Sequence, residues 1–258
     1  MGLVSGIALM LGPQGAGAAP EVPAAPASPS GGSVLFVGDS NALSIFNAVA
    51  DAPGTGWSVA IATRFGCGVV PYTAIADGVV LRPQQPLCRN WERARRSEVR
   101  GQPAEMGLLF VGGWEQYDRW RGGSALRFTS KRWLRATAKD YAQVLSEMRD
   151  SVDRVGIVLN GCHQVPETDL PVDVMFQWGR YAPVTNDERR IEATNRAARR
   201  AALSVSFPVQ ILDLRKFLCP SGFTEEKGGV VLRTDGLHFT EAGGRLIWSW
   251  MKRQLSRR

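Results

Sequence analysis

The chain reads as an α/β protein in which a parallel sheet of five strands is sandwiched between helices, a three-layer α/β/α arrangement. Three observations predict it. Short β-branched runs alternate with longer helical stretches from Ser33 onward, the order that builds parallel strands joined by helical crossovers. The chain has 258 residues, of which 44% are hydrophobic, enough to bury a full core. No internal repeat breaks the pattern.

Taken in order, Ser33–Val37 is the first strand and about Ala42–Ala50 the first helix. Trp57–Ala62 is the second strand, and Met106–Val111 the third, running into Gly112-Gly113-Trp114. About Arg132–Asp150 is a helix, because Trp133, Leu134, Tyr141, Val144, Leu145 and Met148 recur at roughly helical spacing. Val155–Leu159 is the fourth strand, Asp187–Leu203 an alanine- and arginine-rich helix, and Val209–Leu212 the fifth strand. Thr240 is a preferred kind of N-cap for a last helix running to about Leu255. Right-handed crossovers follow from strand twist. Segments 63–105 and 161–186, with Gly, Pro and charged residues, read as long irregular loops. Both leave strands at the edge where a doubly wound sheet opens its ligand crevice.

The first 32 residues differ in composition. Gly2 to Leu11 is mildly apolar but lacks a positive leader and is too short to span a bilayer. Gly15 to Gly32 is an Ala/Pro/Gly/Ser stretch with almost no charge. The segment is compatible with a weak signal peptide cleaved near Ala16-Gly17-Ala18-Ala19, or with the end of a preceding membrane helix. Either way residues 1–32 read as an apolar segment and flexible linker, and 33–258 as one domain.

Net charge is +7, mostly from arginine. The arginines are scattered among acidic residues, without an aromatic-interleaved basic stripe or a DNA-reading motif. The basic balance therefore fits a solvated surface near an anionic cell envelope better than a nucleic-acid partner. The four cysteines, Cys67, Cys88, Cys162 and Cys219, have no CxxC spacing, which argues against zinc and is compatible with two disulfides. Three pairings are open, as are buried free thiols. Cys67–Cys88 and Cys162–Cys219 are preferred. The first would staple one long loop; the second joins residues that follow neighbouring strands on one face. Cysteines and linker together favour an extracytoplasmic location.

Chemistry is concentrated at two distant segments. Gly38-Asp39-Ser40-Asn41 follows the first strand, and Asp235-Gly236-Leu237-His238 precedes the last helix. A serine hydroxyl is a poor nucleophile without a base in reach, and the chain has only two histidines, His163 and His238. Ser40 sits where the crevice opens and where free helix N–H groups favour a developing oxyanion. His238, on a loop leaving the fifth strand, can approach Ser40 as general base, with Asp235 fixing its tautomer. Taken separately, each segment has a plainer reading: Asp39 and Ser40 as helix caps, His238 as a surface histidine beside a turn. Their joint order in an α/β chain favours catalysis.

These two segments, with Asp235-Gly236-Leu237-His238-Phe239-Thr240-Glu241-Ala242-Gly243 in full, resemble the SGNH (GDSL-type) hydrolase superfamily. The resemblance implies a flavodoxin-like α/β/α fold with a five-stranded parallel sheet. It also implies a triad of Ser40 (nucleophile), His238 (base) and Asp235 (orienting group). Family oxyanion donors are the serine's own N–H, a glycine after the second strand and an asparagine after the third. Gly66 matches the glycine, with Gly68 the other candidate, but Trp114 stands where the asparagine belongs. Trp114, Asn41 or a backbone N–H then has to substitute. Asn41 also replaces the leucine of the usual GDSL signature. These departures, the cysteines and the N-terminal segment resemble SGNH domains fused to bacterial membrane acyltransferases, which face outward and take part in O-acylation of surface glycans.

His163, after the fourth strand, is a candidate substrate contact, although a loop histidine hydrogen-bonded to backbone is the favoured reading. Trp114, Tyr117, Trp120 and Trp178 are candidates for stacking on sugars or for anchoring core and loops. No metal-ligand spacing, phosphate loop or dinucleotide fingerprint is present, so no cofactor or metal is expected. The expected activity is that of a serine esterase or O-acyltransferase, commonly acetyl, on cell-envelope or extracellular glycan. Its partners would be an acylated carbohydrate or acyl donor and a membrane acyltransferase. The alternative is a non-catalytic carbohydrate-binding domain that keeps the fold.

Overall fold

A computed structural model describes residues 32–50, 56–70, 73–76, 79–80, 88–166 and 183–256. The apolar segment and linker expected before residue 32, and Trp178, lie outside these residues. In chain order the strands are β1 (Ser33–Gly38), β2 (Ser58–Thr63), β3 (Thr73–Ala76), β4 (Val79–Val80), β5 (Ala104–Phe110), β6 (Asp118–Arg121), β7 (Ser124–Leu126), β8 (Val152–Val158), β9 (Val209–Leu212), β10 (Glu226–Lys227) and β11 (Val230–Val231). The helices are α1 (Ser40–Val49), α2 (Trp91–Arg100), α3 (Lys131–Arg149), α4 (Glu188–Ser204), α5 (Leu214–Leu218) and α6 (Glu241–Leu255).

The central sheet has five strands in the order β2-β1-β5-β8-β9, every neighbouring pair parallel. Successive strand side chains point to opposite faces, so β1 divides its residues between two cores. Val34 and Phe36 join Ile45 of α1 and Ile247, Trp248 and Met251 of α6. Leu35 and Val37 join Trp133, Tyr141 and Leu145 of α3 and Ala197 and Ala201 of α4. Burial on both faces is why the central strands β1, β5 and β8 read as largely continuous apolar runs rather than alternating ones. Because all five strands run one way, their C-terminal ends share one rim, and the loops leaving β1, β2, β5 and β8 meet there.

Two expectations are corrected. Segment 63–105 is not one irregular loop: it contributes β3, β4 and α2, whose Trp91, Arg95 and Val99 are buried. β3 and β4 join the β6–β7 hairpin in a second, four-stranded antiparallel sheet, order β4-β3-β6-β7. The His238 loop does not leave the fifth strand directly, since α5 and the β10–β11 hairpin intervene. It is tied back to that hairpin's end, where Thr240 N–H donates to Leu232 O at 2.9 Å.

Candidate active site

The site is assembled at the rim. β1 ends at Gly38, and Asp39, in extended conformation, caps α1 by accepting Asn41 N–H at 2.9 Å. The capping reading of Asp39 therefore holds, and it leaves Ser40 as the first helical residue, beside the positive end of the helix dipole. Ser40 Oγ lies 2.9 Å from His238 Nε2, and His238 Nδ1 lies 2.6 Å from Asp235 Oδ2. Segments about two hundred residues apart in sequence thus form one hydrogen-bonded chain.

The turn carrying His238 is self-braced. Asp235 Oδ1 accepts the N–H groups of Leu237 and His238 at 2.8 and 2.7 Å. Partial burial raises the Asp235 carboxyl. The His238 hydrogen bond and the two N–H donors outweigh this and hold it down at about 2. An anionic Asp235 selects the tautomer with the proton on Nδ1, which leaves Nε2 as acceptor for the Ser40 hydroxyl. Gly236 permits the turn: its φ is +74°, and a Cβ there would collide with the Gln164 carbonyl. From beneath, buried Arg233 donates from Nε to Leu237 O at 3.0 Å and spreads over the Phe239 ring at 4.1 Å. Burial brings its pKa down to about 10, so it remains a cation at neutral pH.

The opposite wall is built by loop 112–117, against which loop 64–70 packs. Gly66, with φ +74°, lies in a turn closed by Cys67 N–H to Arg64 O at 3.2 Å, and Cys67 is disulfide-bonded to Cys88. Trp114 begins a short 3-10 turn, and its ring stacks on Tyr117 with centroids 5.8 Å apart. Trp133 of α3 supports this turn from behind by donating from Nε1 to Tyr117 O at 3.1 Å. Between turn and triad is a pocket of about 20 Å³ lined by Asp39, Ser40, Asn41, Gly113, Trp114, Tyr117, Thr185 and Leu237. Asn41, Trp114 and Tyr117 therefore line one pocket with the serine. The buried Oδ1 of Asn41 has no hydrogen-bond partner among the described residues.

Two buried carboxylates, one not singled out from sequence, hold this wall. Asp39 Oδ2 accepts Gly113 N–H at 3.1 Å, linking the β1 and β5 loops. Glu115, fully buried, accepts Val69 N–H at 2.8 Å, linking the β5 and β2 loops. Gly68 makes room for it, since a Cβ there would run into Glu115 Oε1. Burial raises both carboxyls. For Glu115, Asp39's charge adds to burial against Arg119 and two backbone N–H donors, and the carboxyl reaches about 7.

His163 lies buried behind the rim rather than on it. It is 3% exposed, with Nε2 2.8 Å from Asn160 Oδ1, while Asn160 bonds Gly112 O and Asn195. Burial first, then the charges of Arg233, His238 and Arg215, push its pKa down to about 3. A neutral imidazole is thus part of the scaffold behind the rim, bonded to a side chain rather than to backbone. Trp120 is on β6, 46% exposed. The second disulfide joins Cys162 to Cys219, so both cysteine pairs are those preferred from the sequence, one as a loop staple and one from neighbouring strands. Among the described residues no His/Cys/Asp/Glu group could hold a metal ion, and no helix is long and apolar enough to cross a membrane.

Several solved structures are similar to this chain. A GDSL-like lipase from Bacteroides thetaiotaomicron is 10% identical, with TM-score 0.49, over 87% of this chain and 88% of its own. A catalytic mutant of an acetylxylan esterase from Geobacillus stearothermophilus is 16% identical, with TM-score 0.48, over 89% and 96%. A hydrolase from the metagenome of Lake Arreo is 14% identical, with TM-score 0.46, over 87% and 95%. No curated protein matches the chain. The family model for the SGNH domain fused to AT3 domains matches residues 13–249, and the chain belongs to that family.

Proposed function

We propose that the domain, residues 33–258, is a serine esterase or O-acyltransferase that handles O-acetyl esters of cell-envelope or extracellular glycans. The observation that carries this reading is the Asp235–His238–Ser40 hydrogen-bonded chain at the mouth of a small pocket. Ser40 Oγ attacks the ester carbonyl carbon while His238 Nε2 takes its proton, and Asp235 stabilises the imidazolium. Collapse of the tetrahedral intermediate breaks the carbon–alkoxy bond, and His238 returns the proton to the departing alcohol. Water or a sugar hydroxyl, deprotonated by His238, then attacks the acyl carbon of acyl-Ser40, the bond from that carbon to Oγ breaks, and His238 returns the proton to Ser40 Oγ. The acceptor decides between esterase and transferase.

The oxyanion would be held by the N–H groups of Ser40 and Gly66 and by the Asn41 side-chain amide, with the Trp114 ring walling the pocket. Asn41 is favoured over the Trp114 indole because its amide lines the pocket with an unsatisfied buried oxygen, and rotating that amide presents its NH2 instead. A pocket of about 20 Å³ suits an acetyl methyl, since the same measure of space just admits one water. Two disulfides fit an oxidising, extracytoplasmic setting. The family's fusion to AT3 domains fits a membrane acyltransferase partner.

The test is p-nitrophenyl acetate turnover by the full chain beside Ser40→Ala and His238→Ala. Turnover that both substitutions abolish supports the reading. No turnover in the folded, oxidised parent favours a non-catalytic carbohydrate-binding domain, the reading suggested by Trp114 where the family's oxyanion asparagine would stand.

A further inference from the structure

The size of the Ser40 pocket dictates where the rest of a substrate must lie. At about 20 Å³ it takes a methyl-sized acyl tail and little else. The alkoxy oxygen of the ester has to meet His238 Nε2, which returns the proton to it, so the alcohol leaves the pocket on the His238 side. Phe65 stands there. Its ring centroid is 6.0 Å from that of His238, the two planes are inclined by only 24°, and the residue is 41% exposed.

A phenyl group left this exposed gives up much of the burial that normally places phenylalanine inside. Nor is it carried on a loose loop. The preceding Arg64 lies over the Trp91 ring of α2 at 5.0 Å and pairs with Glu98 at 3.7 Å. After it come Gly66 and Cys67, the latter fixed to Cys88. The turn therefore presents the ring beside the general base and one residue before the glycine assigned to the oxyanion.

We propose that the face of Phe65 is the platform for the sugar ring that bears the ester, binding the leaving alcohol during acylation and the acceptor during transfer. This rests on the esterase or acyltransferase reading above. A pyranose offers one face of C–H groups, slightly positive at hydrogen, to the negative face of an aromatic ring, while its hydroxyl rim stays in water. A two-carbon alcohol has no such face, so the contribution of Phe65 should appear as selectivity for sugar esters.

The experiment compares the full chain with Phe65→Ala and Phe65→Trp on two acetyl esters, vinyl acetate and a monoacetylated methyl glucopyranoside. The quantity read is the ratio of kcat/KM for the glucoside to kcat/KM for vinyl acetate. Phe65→Ala is expected to lower that ratio about 3- to 10-fold, the range of one aromatic contact, through KM. Phe65→Trp is expected to restore it. An unchanged ratio overturns the platform, whether both esters slow in parallel because His238 has lost its neighbour or neither slows. Binding separates this from failure of the catalytic reading. Calorimetric affinity of Ser40→Ala for the acetylated glucoside should fall by a similar factor when Phe65→Ala is added, whether or not the parent turns over. Affinity indifferent to Phe65 contradicts the platform; a silent parent with Phe65-dependent affinity contradicts only the catalytic reading.

Discussion

The two sides of the Ser40 pocket are built on different length scales. The side carrying the base is one short segment: a single carboxylate, Asp235, receives the N–H groups of Leu237 and His238 and also orients the His238 ring. The side proposed to face the oxyanion brings together the loops after β1, β2 and β5, and its fasteners are buried carboxyl groups, Asp39 reaching Gly113 and Glu115 reaching Val69. Local hydrogen bonding can fix a base within four residues. Convergence of several N–H donors on one point requires long-range packing, and here also carboxyl groups held in an apolar interior, where the charged form is costly.

The comparison predicts a hierarchy of effects. Ser40→Ala and His238→Ala should each lower ester turnover by about 10⁴-fold or more, with unchanged thermal unfolding, because neither side chain belongs to the packed core. A loss below about tenfold would break the assignment of both.

Glu115→Gln should act on stability, with a definite sign. The folded-state carboxyl sits near 7, above its usual value of 4.5. Its contribution is therefore complete below pH 4.5 and is lost as pH rises through 7. The glutamine variant, free of that titration, should gain on the parent by on the order of 3 kcal/mol between pH 4.5 and pH 8 in denaturant titrations. An equal difference at both pH values would mean that Glu115 is not held protonated by its surroundings. His163 works in the opposite sense. With its folded pKa near 3, its contribution is complete above 6.5 and lost as pH falls towards 3, equally in both proteins.

Asn41→Ala should lower kcat for acetyl esters by about 10²-fold, the usual cost of one oxyanion donor. Trp114→Phe, which keeps an aromatic wall but deletes the indole N–H, should cost less than about tenfold by the same measure. Steady-state kinetics on the two variants would sharpen the account of this wall, and the reverse order would make Trp114 the donor.

Legibility in the sequence follows the same division. The central strands β1, β5 and β8 were visible because burial on both faces makes most of each a continuous apolar run, and the half-buried edge strands β2 and β9 because of their β-branched residues. The Ser40 and His238 segments were visible because each carries its chemistry within a few residues. The second sheet was missed although Gly122-Gly123 is a strong hairpin turn, both residues having positive φ. Its strand Asp118-Arg119-Trp120-Arg121 buries the charged Arg119, 3.0 Å from Asp140, where a half-buried strand would show an apolar residue. α2 was missed because its sequence, Trp-Glu-Arg-Ala-Arg-Arg-Ser-Glu-Val-Arg, is mostly charged and buries Arg95 against Glu147. Glu115 and the Asn160–Asn195 pair share that cause. Each is a polar group whose partner is remote in sequence, so no local pattern marks it as interior.

The central claim is that Ser40 is a nucleophile made reactive by His238. The most direct measurement is labelling of the full chain with a fluorophosphonate at neutral pH, followed by peptide mass mapping. The account predicts one adduct, on Ser40, that is much slower to form in His238→Ala and absent in Ser40→Ala. No adduct on the folded parent, or one on another residue, would contradict it.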